Sequence, residues 1–245
     1  MGNFHAFGIS FLRRRDLFPI GQSVLDEEDC RAFLEAAVAA VLTGEDAPPR
    51  AAEEASAWGG STLSGAPPFA GERDRNRLAG LLGLYADWRR QVGCRFPRWV
   101  TGESERLLRE RLAEQELALE SVEELLAPAL ERYLALKSES FAIDYDEILN
   151  LTLHHLEEDR RRGRRPPCDW VQVDEAQDLN AIQWAILEAL AVPDAHLVVL
   201  GDLQQSIYAF RGGAYRLLLE RTAGFTEHLL DRNYRSPAYL LAFCR

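Results

Sequence analysis

The stretch Val171-Gln-Val-Asp-Glu-Ala-Gln-Asp178 joins an apolar strand to a pair of adjacent carboxylates, and it decides the class of fold. Residues 170–173 have the short apolar pattern of a strand, and residues 180–191 have the longer periodicity of a helix. The alternation continues downstream with a strand, a helix and a strand, predicted at 196–200, 214–221 and 226–230. Because strands that alternate with helices form parallel sheets, the sequence predicts an α/β core.

Upstream of this core the sequence is mainly helical. An amphipathic pattern covers residues 3–15, and acidic residues begin a second helix at Asp26 that runs to about Leu42. Residues 43–71 are rich in Ala, Gly, Pro and Ser and predict a loop. The remaining helices, two of which begin with a capping box at Ser121 and Asp144, are predicted at 73–91, 103–119, 122–137 and 144–160.

Composition narrows the possible classes of protein. The hydrophobic content of 47% in 245 residues is that of a globular protein. A net charge of −11 argues against a protein that coats DNA by charge. It does not exclude a motor that holds single strands by stacking and a few local cations.

Four separated cysteines without a Cys-x-x-Cys pair argue against a zinc site or a disulfide framework and fit the cytoplasm. The sequence has no secretory signal pattern and no apolar run that could span a membrane.

The chain contains a single lysine, Lys137. A phosphate-binding P-loop needs Gly-Lys-Ser/Thr, because backbone N–H groups surround the phosphates while the lysine reaches the outer ones. Lys137 lies instead in Ala135-Leu-Lys-Ser138, within a helical pattern that has no glycine. The P-loop is therefore absent from this sequence.

Three segments, in this order, resemble consecutive motifs of superfamily 1 DNA helicases of the UvrD/Rep/PcrA type. They are Val171–Asp178, Val199-Leu-Gly-Asp-Leu-Gln-Gln-Ser-Ile-Tyr-Ala-Phe-Arg-Gly-Gly213 and Leu230-Asp-Arg-Asn-Tyr-Arg-Ser236. Asn3-Phe-His-Ala-Phe-Gly8 is similar to the family's Thr-Phe-His-Ser motif, with asparagine in place of threonine. Phe141-Ala-Ile-Asp-Tyr-Asp-Glu-Ile-Leu149 is similar to the Asp-Phe-Asp-Asp-Leu segment that precedes the family's Walker B strand. The resemblance covers most of the chain.

The resemblance implies a fold and a set of ligands. The fold is a partial RecA-like parallel-sheet core with a large helical insertion subdomain. Residues 1–25 and 161–231 would belong to core subdomain 1A, 26–160 to helical subdomain 1B, and 232–245 to the start of core domain 2A. The implied cofactors are ATP and Mg²⁺. The implied partner is single-stranded DNA or a junction between single-stranded and double-stranded DNA.

The adjacent carboxylates carry the expected chemistry. At the C-terminal end of a parallel strand, Asp174 can hold Mg²⁺ through its hydration shell, and Glu175 can orient and deprotonate the attacking water. The alternative is a helix N-terminus that merely carries acidic residues, which is common. The two further motifs that follow in order favour the first interpretation.

The other site residues are implied by the resemblance alone. Gln205 would contact the γ-phosphate, Arg235 would reach the same phosphate from domain 2A, and Tyr234 could stack on adenine. The arginines of residues 160–165 could touch phosphates, although we favour a solvated linker. For His5, a position in the core is about equally expected. The residues expected to contact DNA are His5, Phe7, Tyr208, Phe210 and Arg211.

The leading interpretation is a part of an ATP-dependent DNA helicase, which in this family usually moves 3′ to 5′. Without a P-loop the isolated chain is expected to be inactive. One alternative is the helicase portion of an AddA-type helicase–nuclease. The other is a non-catalytic truncated or split-gene product that binds DNA or a protein. Missing helicase segments or a repair or recombination protein are further candidate partners of the chain.

Overall fold

The computed structural model describes residues 3–44, 72–202, 205, 214–230, 232, 234, 235 and 237. The described elements, in chain order, are α1 (Phe4–Arg13), β1 (Ser23–Val24), α2 (Glu27–Thr43), α3 (Glu72–Gly93), α4 (Arg98–Ala113), α5 (Leu119–Glu139), β2 (Ala142–Ile143), α6 (Tyr145–Arg161), β3 (Cys168–Val173), a 3₁₀ turn (Ala176–Asp178), α7 (Ala181–Leu190), β4 (Ala191–Val199) and α8 (Ala214–Arg221). None of the helices in these ranges is long and apolar enough to cross a membrane.

Both pairs of strands are parallel, which confirms the predicted α/β class. β3 pairs with β4 so that Val171 lies beside Leu197 and Val173 beside Val199. A second pair joins β1 to β2, with Val24 beside Ile143. This second pair was not predicted, because a strand of two residues is too short to show an alternating pattern.

Local capping determines where several helices begin. The Asp144 side chain accepts a hydrogen bond from the Glu147 N–H at 2.6 Å, which confirms the predicted N-cap of α6. The reciprocal half of the predicted capping box is not formed, and the Glu147 side chain contacts Lys137. The capping box predicted at Ser121 is wrong, since α5 begins at Leu119 after a residue without a side-chain cap. The Ser121 hydroxyl instead donates to a carbonyl oxygen at 2.8 Å, so it is not the acceptor that a cap requires.

The strand predicted at 226–230 is also absent from the described part of the structure. Its residues form no regular element, and the side chains of Leu229 and Leu230 are 82% and 85% exposed. A strand needs a neighbour that accepts its backbone hydrogen bonds, and none of the described strands pairs with this segment.

Two large apolar clusters organise the described residues. One packs α7 against the β3–β4 sheet and α6, with Trp184 at 1% exposure near its centre. The other joins α2, α3, α4 and α5 into a helical layer. Gly8 lets α1 lie close to α6, because a Cβ at this position would be 2.9 Å from both Ile148 Cγ2 and Thr152 Oγ1.

Candidate functional site

The candidate site lies where β3 and β4 end side by side. The Leu200 N–H donates to the Val173 carbonyl oxygen at 2.8 Å, and the Ala176 N–H donates to the Leu200 carbonyl oxygen at 3.0 Å. These bonds continue the parallel pairing past the last strand residues. They bring Asp174 and Glu175 to the same sheet edge as the loop that begins at Gly201, which is where parallel sheets bind ligands.

A buried glutamine joins the two loops. Gln177 is 1% exposed. Its Nε2 donates to Glu175 Oε2 at 2.7 Å, and its Oε1 accepts the Asp202 N–H at 3.1 Å. From there Gln205 Nε2 donates to Asp202 Oδ2 at 2.7 Å. We call this series of hydrogen bonds from Glu175 to Gln205 the Gln177 bridge.

The backbone at Glu175 has an unusual conformation. Its φ of 54° and ψ of 40° are left-handed, which costs a residue other than glycine on the order of 1–3 kcal/mol. The Glu175 N–H donates to Asp174 Oδ1 at 3.0 Å, and the Gln177 bridge holds the side chain. Such strain often occurs at functional positions.

The donor set at Asp174 fits Mg²⁺. Asp174 is exposed, and its second carboxylate oxygen accepts no hydrogen bond within the described residues. Mg²⁺ is commonly held by one or two carboxylates, together with water and substrate phosphates. The described residues contain no cluster of three or more His, Cys, Asp or Glu side chains that could bind a metal by themselves. Asp174 alone would therefore act with water and phosphate oxygens.

The remaining predicted nucleotide residues are on the surface. Gln205 is exposed and joined to Glu175 by the Gln177 bridge. Tyr234 is 83% exposed, and the Arg232 guanidinium lies 5.7 Å from the centre of its ring. Arg235 is exposed as well. Three of the predicted DNA contacts lie outside the described residues: Tyr208, Phe210 and Arg211.

The two other predicted DNA contacts line different cavities. The His5 ring is 4.6 Å from the Tyr145 ring, and burial lowers the pKa of its imidazole. His5 lines a cavity of about 610 Å³ whose walls contain seven carboxylate side chains, which we call the acidic cavity. Phe7 lies 5.9 Å from Phe11 and lines a second cavity of about 470 Å³.

The single lysine has a structural position. Lys137 is 3% exposed, and its Nζ lies 2.5 Å from Asp144 Oδ2 and also contacts Glu147. The Tyr133 hydroxyl donates to the same Asp144 oxygen at 2.9 Å. Lys137 therefore neutralises one buried and one partly buried carboxylate at the start of α6.

Sequence reasoning missed the role of Gln177. Gln177 is part of the segment Asp-Glu-Ala-Gln-Asp, but the sequence around an uncharged glutamine does not indicate which residues it will hydrogen-bond. One of those partners, Asp202, lies 25 residues away in the sequence. Only its position in the motif could have drawn attention to it.

Comparisons with known proteins agree with these observations. The family model of the UvrD/REP helicase N-terminal domain matches residues 1–226 of this chain. An ATP-dependent DNA helicase PcrA from Leuconostoc citreum is 30% identical over 124 residues, which are 49% of this chain and 17% of the relative. The RecBCD enzyme subunit RecB of Mycolicibacterium smegmatis is 38% identical over 104 residues, 40% of this chain and 10% of the relative. An ATP-dependent helicase/nuclease subunit of Pediococcus pentosaceus is 31% identical over 120 residues, 43% of this chain and 10% of the relative. The matches thus cover less than a fifth of each relative.

Proposed function

Because this chain belongs to the UvrD/REP helicase N-terminal domain family, we propose that it forms part of an ATP-dependent DNA helicase or translocase. The observation that carries the proposal is the Gln177 bridge, which joins the carboxylate after β3 to Gln205 in the loop after β4. These hydrogen bonds support the proposal, because they would let the position of Glu175 follow the state of the loop that carries Gln205.

The proposed chemistry assigns a separate task to each residue. Asp174 holds Mg²⁺, which neutralises phosphate charge when it is bound. Glu175 orients the attacking water and accepts its proton, with Oε2 held by Gln177 and Oε1 accepting no hydrogen bond from the described residues. Gln205 and Arg235 contact the γ-phosphate, and Tyr234 stacks on adenine. His5, Phe7, Tyr208, Phe210 and Arg211 contact the DNA strand.

We extend the proposal to the organisation of the whole protein. Residues 1–25 and 161–231 form part of core subdomain 1A, 26–160 form subdomain 1B, and 232–245 begin domain 2A. Movement is 3′ to 5′ on single-stranded DNA, in the cytoplasm. The chain alone turns over no ATP, because it lacks the Gly-Lys-Ser/Thr loop that binds the outer phosphates.

A second candidate is the helicase portion of a helicase–nuclease. It is favoured by the similarity to the helicase/nuclease subunit of Pediococcus pentosaceus and to RecB. Nuclease activity would require segments beyond those matched here. The two candidates share the nucleotide site and differ in what is attached to it.

The decisive experiment measures ATP hydrolysis with and without single-stranded DNA. The chain alone should give none. The chain joined to the P-loop segment and to the domain 2A segments of the Leuconostoc citreum relative should give DNA-stimulated turnover. In that joined protein Glu175→Gln should retain ATP binding and lose hydrolysis, because only the group that activates water is removed. Wild-type turnover by the Glu175→Gln variant would refute the assigned role. Turnover by the chain alone would refute the proposed inactivity.

A further inference from the structure

The second cavity of the structure is lined by arginines. We call it the arginine groove and define it by Arg14 and Arg15 directly after α1, Arg160 near the end of α6, and Arg164 and Arg165 in the following segment. Residues of α1 and of the 160–165 run, which are far apart in the sequence, face the same space of about 470 Å³. Three arginines of the run line this groove, while all its residues stay exposed to solvent, as the sequence alone favoured.

The groove has unbalanced positive charge. Among the described residues that line it, Asp159 is the only carboxylate, and it pairs with Arg15 at 2.5 Å and with Arg164 at 2.9 Å. Arg165 contacts Asp169, which lies outside the lining. Arg14 bonds to the Ser10 hydroxyl at 3.0 Å and has no carboxylate partner within the described residues. The same is true of Arg160, for which those residues provide no ion pair.

This charge is segregated from the rest of the chain. The whole chain carries a net charge of −11, and the walls of the acidic cavity contain seven carboxylates but, among the described residues, only one arginine. A polyanion would be repelled by the acidic cavity and attracted to the arginine groove. Over distances within about 8–10 Å this attraction persists at physiological salt.

The shape and composition of the groove favour a nucleic acid over an acidic peptide. Phe7 and Phe11 are half-buried beside the arginines, and the Arg15 guanidinium lies 4.2 Å from the centre of the Phe11 ring. Arginine forks match phosphate oxygens, and aromatic and guanidinium planes accept stacked bases. A peptide carboxylate would use the cations but not the rings.

We propose that the arginine groove binds the phosphate backbone of a single nucleic-acid strand. The groove includes Cys168, the first residue of β3, whereas Asp174 follows Val173, the last residue of that strand. At about 3.3 Å per residue the two sites are roughly 20 Å apart along the sheet. The proposal rests on the proposed function only for the class of ligand, and apart from Phe7 it uses none of the residues already assigned to DNA.

The test measures binding of a fluorescent oligothymidylate to the 245-residue chain by anisotropy, without nucleotide, over a salt series. Arg14→Gln with Arg160→Gln removes two groove cations that have no carboxylate partner within the described residues. The slope of log affinity against log salt should flatten by about 1.4, or 0.7 for each lost phosphate contact.

Two further variants serve as controls. Arg14→Lys with Arg160→Lys keeps the charge and should retain most of the wild-type slope. Arg75→Gln with Arg98→Gln is the matched control, because it changes net charge equally at exposed arginines outside the groove.

Each outcome decides the proposal. A flattened slope in the groove variant alone supports it. Equal losses in the groove and control variants would mean that only net charge matters, and an unchanged slope, or no binding by the wild-type chain, would overturn it. Displacement of the oligothymidylate by polyglutamate at equal charge concentration would assign the groove to an acidic peptide instead.

A thermal melt of each variant checks that it is folded. The Arg160→Glu variant reverses the charge at one exposed position and therefore provides a stronger change. Because no ATP is present, failure here leaves the hydrolysis experiment unaffected, and failure of hydrolysis leaves this result unaffected.

Discussion

Gln177 donates a hydrogen bond from Nε2 to Glu175 Oε2 at 2.7 Å. The other end of the same amide accepts the Asp202 N–H at 3.1 Å, and the side chain is 1% exposed. A buried amide with both ends engaged cannot shift at one end without disturbing the other. The position of the Glu175 carboxylate is therefore tied to the loop that follows β4.

The first prediction tests this connection directly. Gln177→Leu should lower the free energy of unfolding by about 1–3 kcal/mol, because it leaves the Asp202 N–H without its acceptor. Amide hydrogen exchange at Asp202 should become faster. Gln177→Glu keeps an acceptor for Asp202 and should preserve that protection, while its charge repels Glu175. Gln172→Leu, at an exposed position on β3, is the control. Unchanged exchange at Asp202 in the Gln177→Leu variant would mean that the bridge is not formed in solution.

The second prediction concerns the close approach of Gly201 to Gln177. A Cβ at residue 201 would lie 3.0 Å from Gln177 Oε1 and 3.4 Å from Leu218 Cδ2. Gly201→Ala should therefore destabilise the chain by about 1–3 kcal/mol, as overpacking does. Gly102→Ala is the matched control, since a Cβ there meets nothing within 4 Å on α4, and it should stabilise by about 0.5–1 kcal/mol. Chemical denaturation of both variants measures the difference. Equal effects would show that the loop after β4 can shift freely.

The third prediction concerns Lys137. Lys137→Met should lower the free energy of unfolding by about 3 kcal/mol, the lower end of the range for a broken buried pair. Glu147 loses its cation, and among the described residues Asp144 keeps only the Arg90 guanidinium as a cation, at 3.5 Å. Breaking the exposed pair of Arg111 with Glu114 by Arg111→Met should cost only about 0–1 kcal/mol. An amine-reactive reagent should label the folded chain at its N-terminal amine and reach Lys137 only after unfolding. Rapid labelling of Lys137 in the folded chain would contradict its burial.

The fourth prediction concerns the carboxyl of Asp146 in the acidic cavity. Desolvation of the carboxyl by the surrounding walls, together with the negative charges of Asp87 and Asp144, raises its pKa to about 7, while Arg90 and Lys137 oppose the shift. The residue as a whole remains exposed to solvent, so the prediction concerns the upward direction of this shift. Carbon NMR of the side-chain carboxyl should show titration near neutral pH. Asp87→Asn should lower that pKa, because it removes a neighbouring negative charge. A titration near pH 4 in the wild-type chain would contradict the predicted environment.

The same pKa sets the sign of a pH effect on stability. The folded chain holds the Asp146 proton more tightly than the unfolded chain, so this group lowers the free energy of unfolding as pH rises from about 4 to about 7. Asp146→Asn should remove this contribution. Because Asp146 keeps contact with solvent in the cavity, the change is smaller than the pKa shift alone would give. Denaturation curves at several pH values measure it.

The local sequence determined the features that depend on near neighbours in the chain. The alternation of strands and helices predicted the parallel α/β core, and the spacing of Asp144 and Glu147 predicted the start of α6. The order of three motifs identified the family, and Asp174 and Glu175 were expected at the end of a strand. Periodicity and capping are short-range properties, which is why the start of α6 could be predicted. The cap predicted at Ser121 was nevertheless wrong, because α5 begins at Leu119.

Only the tertiary structure decided which distant residues meet. Gln177 contacts Asp202 across 25 residues, and Arg15 contacts Asp159 across 144. Both the Gln177 bridge and the arginine groove therefore depend on how the strands and helices pack. The strand predicted at 226–230 is absent from the described part of the structure for the same reason, since its apolar pattern could not supply a partner strand. Local periodicity specifies which face of an element is apolar, whereas packing against other elements decides what that face touches.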